Sequence, residues 1–180
     1  MANRIEVVAL PSHSLDLTGL SDLRRLLDAS YGDRFNDSAW QHALGGSHYV
    51  ICDEGRVVAH ASVVARTLSV GTEVCTTGWV EAVATDPRLT GRGYGAAVME
   101  RVGQAIGEAY DIGGLATGIG DFSARFGWEQ WRGPTFVDAQ EGRVRTPDDD
   151  GWVFVLRTPK TASVDIAGSL ACDWRPGRVW

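Results

Sequence analysis

The chain has 180 residues, 44% of them hydrophobic, which suits one compact domain with its own core. Lys and Arg total 17 and Asp and Glu total 23, so the formal net charge is -6; this argues against a nucleic-acid-binding surface and leaves room for a cationic small-molecule substrate. The three cysteines form no C-x-x-C pair, so we expect a cytoplasmic protein with no disulfide framework and no zinc site. No segment approaches the ~20 apolar residues of a membrane span, so we expect no membrane association.

The first half of the chain predicts a strand, two helices and a group of strands. "IEVVAL" is typical of a strand, "SDLRRLLDASY" of a helix capped by Ser21, and "NDSAWQHAL" of a second helix that ends at Gly45. Three segments rich in β-branched residues follow, separated by tight turns: "HYVICD", "RVVAHASVVARTLSV" and "EVCTTGWVEAVAT". They predict an antiparallel meander.

The second half begins with a helix and continues with shorter elements. Apolar residues recur at spacings of three and four from Ala96 to Tyr110, which predicts an amphipathic helix. The segments after it predict a strand at "GGLATG", a short helix at "DFSARF" and strands at "WRGPTFV" and "WVFVL"; the tail from Thr158 to Trp180 has no clear period. We therefore predict a single α+β domain, residues 1–180, with a mixed, mostly antiparallel sheet flanked by helices.

A glycine-rich loop, "RLTGRGYG", joins the third meander strand to the long helix. Such a turn at a helix N-terminus directs several backbone N–H groups at one point, which predicts a phosphate site. A Walker A loop is excluded because no Gly-Lys-Ser/Thr occurs in it. Gly91, Gly93 and Ala96 fit a dinucleotide fingerprint with Asp111 as the ribose acid, but "DPRLT" separates the strand from the turn. A glycine turn without a ligand is the third interpretation.

The form Arg-x-x-Gly-x-Gly, met by Arg88, Gly91 and Gly93, resembles the acetyl-CoA loop of the GNAT N-acetyltransferases. The resemblance extends over almost the whole chain to the aminoglycoside 2'-N-acetyltransferase family, through "LGGSHYVI", "VVAHASVV", "GWVEAVAT", "GWEQWRGPT", "RTPDDDGWVFVL" and "CDWRPGRVW". It implies the GNAT fold, acetyl-CoA as cosubstrate without a metal, an aminoglycoside as the acceptor, antibiotic resistance as the result, and a homodimer.

The resemblance also implies which residues contact the coenzyme. The strand contributes Val83, Ala84 and Thr85, and the loop contributes Thr90, Gly91, Arg92, Gly93, Tyr94 and Gly95. Arg88 is the supporting cation.

The transfer requires a base for the amine, a polarised thioester carbonyl and a proton for the leaving thiolate. Glu81 is predicted on one strand face with Trp79 and Val83, and a carboxylate in such an apolar run is costly unless it is paired. The residues alone leave two interpretations open, a general base or an ion pair with an arginine such as Arg66. The resemblance favours the base and implies that the Val83 N–H stabilises the oxyanion.

Ser123 occupies the place of the general acid. The superfamily usually carries a tyrosine four residues before the glycine of its "G-W" turn, here Gly127. Serine is a poorer proton donor, so either it acts through a water or the thiolate leaves without a dedicated acid. An ordinary helix hydroxyl is the plainer interpretation.

The acceptor site departs from the family pattern at three positions. Family members carry acids immediately before Phe35, immediately before Trp40 and two residues before the terminal tryptophan, where this chain has Arg34, Ala39 and Arg178. Two added guanidinium groups favour an acceptor that carries a carboxylate. Kasugamycin fits that description better than gentamicin or tobramycin.

Substrate contacts are also implied for Asp33, Glu81, Ala82, Asp149 and Trp180. The alternatives are acetylation of polycationic aminoglycosides, or a non-catalytic acyl-CoA-binding module. The four histidines lack metal-ligand spacing and are more typical of core or surface positions, although His48 could line the pocket.

Overall fold

The computed structural model describes residues 5–180. The helices are α1 (Leu17–Tyr31), α2 (Asp37–Ala43), α3 (Tyr94–Ala109) and α4 (Gly120–Ala124). The strands are β1 (Val8–Pro11), β2 (Ser47–Asp53), β3 (Arg56–Val70), β4 (Glu73–Thr85), β5 (Ile112–Ala116), β6 (Glu129–Gln130), β7 (Thr135–Ala139), β8 (Gly142–Arg145), β9 (Val153–Arg157) and β10 (Leu170–Asp173). No helix within residues 5–180 has both the length and the apolar character to cross a bilayer.

The chain divides into compact units, and β3, β4 and α3 each contribute to both. The first unit contains residues 5–64 and Val80–Val102, and in it β2 pairs antiparallel with both β1 and β3. The second contains Ala65–Trp79 and Gly103–Trp180, with the strand order β6-β9-β5-β4-β3-β10-β7-β8. Because β4–β5 and β7–β10 are parallel whereas β5–β9, β3–β10 and β7–β8 are antiparallel, the predicted mixed α+β architecture is confirmed.

Helix α1 shows how the sequence pattern and the local caps combine. Its apolar face buries Leu23, Leu26 and Leu27, as the spacing predicts. The predicted Ser21 cap is wrong, because the helix starts at Leu17 and the Asp16 carboxylate accepts the Gly19 N–H at 2.8 Å. Leu17 is 86% exposed, so the first turn carries no apolar face from which its start could be inferred.

The long strands β3 and β4 have the predicted bounds, but the short strands near the C-terminus do not. The predicted strand "WRGPTFV" is right only in its last three residues: residues 131–134 are not in a strand, and β7 runs from Thr135 to Ala139. The sequence pattern missed β8, which is exposed along its whole length, and β10, in which Leu170, Ala171 and Cys172 are all fully buried. A strand that is exposed or buried on both faces has no alternation to detect.

Candidate active site

The glycine-rich loop has the strand–turn–helix setting that its sequence predicts. Gly91 and Gly93 have φ values of 80° and 85°, which favour glycine, and a β-carbon at Gly91 would meet nothing within 4 Å. The helical bonding of α3 starts with the Ala97 N–H donating to the Gly93 carbonyl at 3.0 Å. The N–H groups of residues 94–96 precede that bond and lie at the positive end of the helix dipole, an arrangement that suits an anion.

Two side chains fix the loop in place. The Arg88 guanidinium binds the Asp86 carboxylate with Nε–Oδ1 and Nη2–Oδ2 distances of 3.0 and 2.7 Å, and it holds the pKa of Asp86 at about 2. The Asp86 carboxylate therefore neutralises part of the Arg88 charge. The role of Arg88 as a supporting cation for the coenzyme stays a prediction. The Tyr94 hydroxyl donates to Asp53 Oδ2 at 3.0 Å, which attaches the start of α3 to the end of β2.

The dinucleotide interpretation assigned Asp111 to a ribose, but the structure gives this carboxylate other partners. It accepts the Thr76 N–H at 2.9 Å, the Thr76 hydroxyl at 2.6 Å and the Lys160 ammonium at 2.9 Å. These bonds lower the pKa of Asp111 to about 2. Asp111 therefore anchors strand β4 in the second unit. Its carboxylate is occupied by these partners, so the dinucleotide interpretation has no acid for the ribose.

Strand β4 bends at Ala82, whose φ of 52° lies in the left-handed region. Side chains hold the three carbonyls around this bend: the Ser62 hydroxyl donates to Glu81 O at 3.4 Å, His60 Nδ1 donates to Ala82 O at 2.8 Å, and the Tyr31 hydroxyl donates to Val83 O. The predicted common face for Trp79, Glu81 and Val83 assumes a regular strand, and the bend interrupts that alternation. The parallel pairing of β4 with β5 ends at Trp79, before the bend.

Glu81 and Arg34 each lie near the Tyr31 hydroxyl in the first unit. Burial and, to a smaller extent, the Glu81 charge raise the pKa of this hydroxyl to about 12, and Arg34 opposes the shift. Tyr31 therefore stays protonated as the donor to Val83 O. Arg66 does not adopt the suggested ion pair with Glu81. Its Nε donates to Asp173 Oδ1 at 3.0 Å, its Nη1 to Val179 O at 2.6 Å and its Nη2 to Asp173 O at 2.6 Å.

The predicted acceptor residues of the first unit lie beside a cluster of aromatic rings. Asp33 and Arg34 are exposed on a single helical turn, Gly32–Arg34, directly after α1. The next residue, Phe35, stacks on Tyr31 with ring centroids 5.7 Å apart and meets Trp40 edge-on at 6.3 Å. Arg34 Nε donates to the Tyr31 carbonyl at 3.4 Å, and the side chain is exposed beside these rings.

The predicted acceptor residues of the second unit contact one another. Arg178 Nη2 lies 3.7 Å from Asp149 Oδ1, so two side chains that were each predicted to contact the substrate face one another. Burial raises the pKa of Asp149, and Arg178 opposes that shift. Trp180 is 4% exposed, donates its indole N–H to Thr146 Oγ1 at 2.9 Å and packs 5.8 Å from the Trp79 ring. Trp180 therefore supports the turn that carries Asp149.

Ser123 lies in α4 with 4% of its surface exposed. Its neighbours Phe122 and Ala124 line a cavity of about 690 Å³ in the second unit, and the described lining does not include Ser123 itself. Trp128, which also lines this cavity, has a buried indole N–H that finds no hydrogen-bond acceptor within residues 5–180. The sequence analysis did not predict this cavity. Ile119 and Trp152, two large apolar residues that are exposed in the structure, line it.

A buried line of hydrogen bonds ends at the β4 bend. Ser12 Oγ lies 2.7 Å from His48 Nε2, His48 Nδ1 lies 2.9 Å from His60 Nε2, and His60 Nδ1 reaches Ala82 O. Both imidazoles are fully buried, and burial lowers the pKa of His48 to about 4 and that of His60 to about 3. The suggestion that His48 lines a pocket is therefore wrong, since its ring is enclosed.

Comparison with known proteins agrees with this geometry. Residues 13–131 match the family described as acetyltransferase (GNAT) domain. An aminoglycoside 2'-N-acetyltransferase of Mycolicibacterium fortuitum is 40% identical over 182 aligned positions, which cover 93% of this chain and 92% of that protein.

Solved structures share the fold at low sequence identity. A GNAT family N-acetyltransferase (YhbS) of Escherichia coli, solved with CoA, has a TM-score of 0.68 at 14% identity and covers 95% of this chain and 92% of its own. A probable N-acyltransferase of Enterococcus faecalis has a TM-score of 0.60 at 13% identity over 72% of this chain. The present chain spans 33% of that longer protein.

The family match and the fold define an acetyltransferase of the GNAT class, for which acetyl-CoA is the cosubstrate. Within that class, the chain belongs to the family of the aminoglycoside 2'-N-acetyltransferases.

Proposed function

We propose that this enzyme transfers the acetyl group of acetyl-CoA to the 2'-amine of an aminoglycoside. The observation that carries the proposal is the glycine turn at Gly91 and Gly93, which lies between the bent strand β4 and the N-terminus of α3, where free N–H groups suit an anion. The mycobacterial relative, which bears that activity in its name, supports the choice of acceptor class.

In this proposal, backbone groups of the loop and of strand β4 bind the coenzyme. Its pyrophosphate binds the N–H groups at the start of α3, and its pantetheine arm follows Val83, Ala84 and Thr85 beyond the end of the β4–β5 ladder. The trans peptide between Ala82 and Val83 directs the Val83 N–H away from the carbonyl that His60 holds. That N–H donates to the thioester oxygen and stabilises the charge that develops there.

Glu81 takes one proton from the substrate ammonium, directly or through a water, and the neutral nitrogen attacks the thioester carbon. The C–N bond forms, the C–S bond breaks, and the thiolate takes the second nitrogen proton as the intermediate collapses. Glu81 then returns its proton to solvent. This sequence needs no dedicated acid, which agrees with the burial of Ser123.

For the acceptor, we propose kasugamycin or another aminoglycoside that carries a carboxylate. The support is Arg34, an exposed guanidinium that lies near the same Tyr31 hydroxyl as Glu81. Arginine binds a carboxylate with paired, charge-assisted hydrogen bonds. Arg178 is the weaker candidate because Asp149 already shares its charge.

The deciding experiment is a thiol-release assay with acetyl-CoA and a panel of aminoglycosides. Release with kasugamycin at a kcat/KM well above that for gentamicin and tobramycin supports the full proposal, and the reverse order returns the enzyme to polycationic acceptors. Binding of acetyl-CoA without release on any amine would show a non-catalytic module. Resistance of a host strain, a cytoplasmic location and a homodimer belong to the same proposal, and they are tested by inhibitory concentration, cell fractionation and light scattering.

A further inference from the structure

The mechanism above does not use the hydrogen-bonded line of Ser12, His48 and His60, although the line ends on the peptide bond that precedes Val83. All of its members belong to the first unit. Two imidazoles with no exposed surface are costly to bury unless each ring nitrogen has a partner, and here each has one. The line is therefore a built feature of the fold.

The far end of the line fixes which nitrogen of each imidazole carries the proton. Ala82 O can only accept, so His60 Nδ1 carries the hydrogen, and the neutral ring must then accept at Nε2. His48 Nδ1 consequently donates to His60, and His48 Nε2 can only accept. The Ser12 hydroxyl lies 2.7 Å from that nitrogen and 3.1 Å from the Gly46 carbonyl, so its proton is shared between the two acceptors. The Gly45 N–H in turn donates to Ser12 Oγ at 3.0 Å.

All of these donors therefore point in one direction, from Ser12 toward the Ala82 carbonyl. A chain of aligned hydrogen bonds polarises its members cooperatively, by about 10–30% per bond. The carbonyl that receives the chain belongs to the same resonance-linked amide as the Val83 N–H. Withdrawing electron density through the carbonyl makes that N–H a stronger donor.

We propose that His48 and His60 are positioning residues that strengthen the Val83 N–H as the oxyanion donor of the acetyl transfer. The inference rests on the proposed function, because it needs the Val83 N–H to meet the thioester oxygen. A merely structural role would hold the β4 bend in place but would leave the strength of that donor unchanged.

The test compares matched substitutions of the full chain. His60→Leu removes the donor, whereas His60→Asn places an amide nitrogen where the imidazole Nδ1 lies and retains it. Ser12→Ala removes the half-buried start of the line together with the bonds of its hydroxyl to the Gly45 N–H and the Gly46 carbonyl, and it leaves both imidazoles in place. It decides the question if His60→Leu does not fold. The readouts are the amide-proton chemical shift of Val83 and steady-state kinetics with acetyl-CoA and the best acceptor.

In His60→Leu we expect an upfield shift of the Val83 amide proton and a kcat about tenfold lower, because the loss of a whole oxyanion donor costs 10²–10³-fold and here the donor is only weakened. Both KM values should stay within about twofold, and His60→Asn should recover most of kcat. Ser12→Ala should move both readouts in the same direction by less.

An unchanged Val83 shift in His60→Leu, or in Ser12→Ala if the first variant does not fold, overturns the inference. A shifted amide with unchanged kcat overturns it too, since the donor would not meet the oxyanion, while the acetyl transfer itself would stand. Absence of turnover by the wild type on every acceptor overturns the proposed function, and the inference falls with it.

Discussion

Glu81 is the residue on which the chemistry depends most directly. Glu81→Gln keeps the size and the hydrogen-bonding capacity of the side chain but cannot take the ammonium proton. We expect kcat to fall by ~10² or more near neutral pH, with part of the loss recovered at high pH, where more of the substrate amine is already free. Steady-state kinetics from pH 6 to 9 measure this, and a variant as fast as the wild type at pH 7 would remove Glu81 as the base.

Arg34 and Arg178 allow a matched comparison, since each is exposed and, among residues 5–180, Arg178 lies against a carboxylate whereas Arg34 does not. Arg34→Gln should lower kcat/KM for kasugamycin about 30-fold, which is about 2 kcal/mol for a lost charge-assisted hydrogen bond. Arg178→Gln should stay within about threefold. Gentamicin, which has no carboxylate, should lose little with either variant, and KM for acetyl-CoA serves as the folding control. Equal losses on both antibiotics would contradict the assignment.

At the scale of elements, the turn between β4 and α3 has the backbone conformation that its glycine spacing predicts. Gly93→Val combines a branched side chain with a φ of 85° and occupies the space that we assign to the pyrophosphate. Calorimetric titration should show acetyl-CoA binding weakened by ~10² or more.

Gly142→Val is the control for this turn. Gly142 also has a positive φ, 119°, and open space around it, but it lies in the hairpin between β7 and β8. It carries the same kind of backbone strain without the ligand, so affinity should not change. Equal loss of affinity in both glycine variants would mean that strain, rather than an occupied site, explains the result.

The sequence predicted those elements whose signal is local. Strands β3 and β4 follow from β-branched runs, and the turn with positive φ at Gly91 and Gly93 follows from glycine spacing. The bend at Ala82 left no signal, because alanine has no preference for a positive φ and only the surrounding side chains impose it. The Asp149–Arg178 pair and the histidine line join residues that are distant in sequence, so no spacing rule could have found them.

At the scale of the whole molecule, the two buried imidazoles make stability depend on pH. Their pKa values of about 4 and about 3 lie below the ordinary value near 6.5 that they regain on unfolding. Their contribution is complete above pH 6.5 and is lost as the pH falls toward 4, because only the unfolded chain binds the protons there.

His48→Asn removes one of these imidazoles. From pH 7.5 to 5.5, the free energy of unfolding of the wild type should fall by about 1 kcal/mol more than that of this variant. Urea denaturation at both pH values measures the difference. Parallel profiles would show that His48 titrates alike in the folded and unfolded states.

The strained backbone at Ala82 also bears on how much change the protein tolerates. A left-handed alanine stores of order 1–3 kcal/mol that the rest of the fold must offset, out of a total stability of only 5–15 kcal/mol for a typical domain. The margin that could absorb destabilising mutations elsewhere is reduced by that amount. Substitutions that relax the bend would widen the margin but release the Val83 amide from its orientation, so stability and catalytic rate trade against each other at this one position.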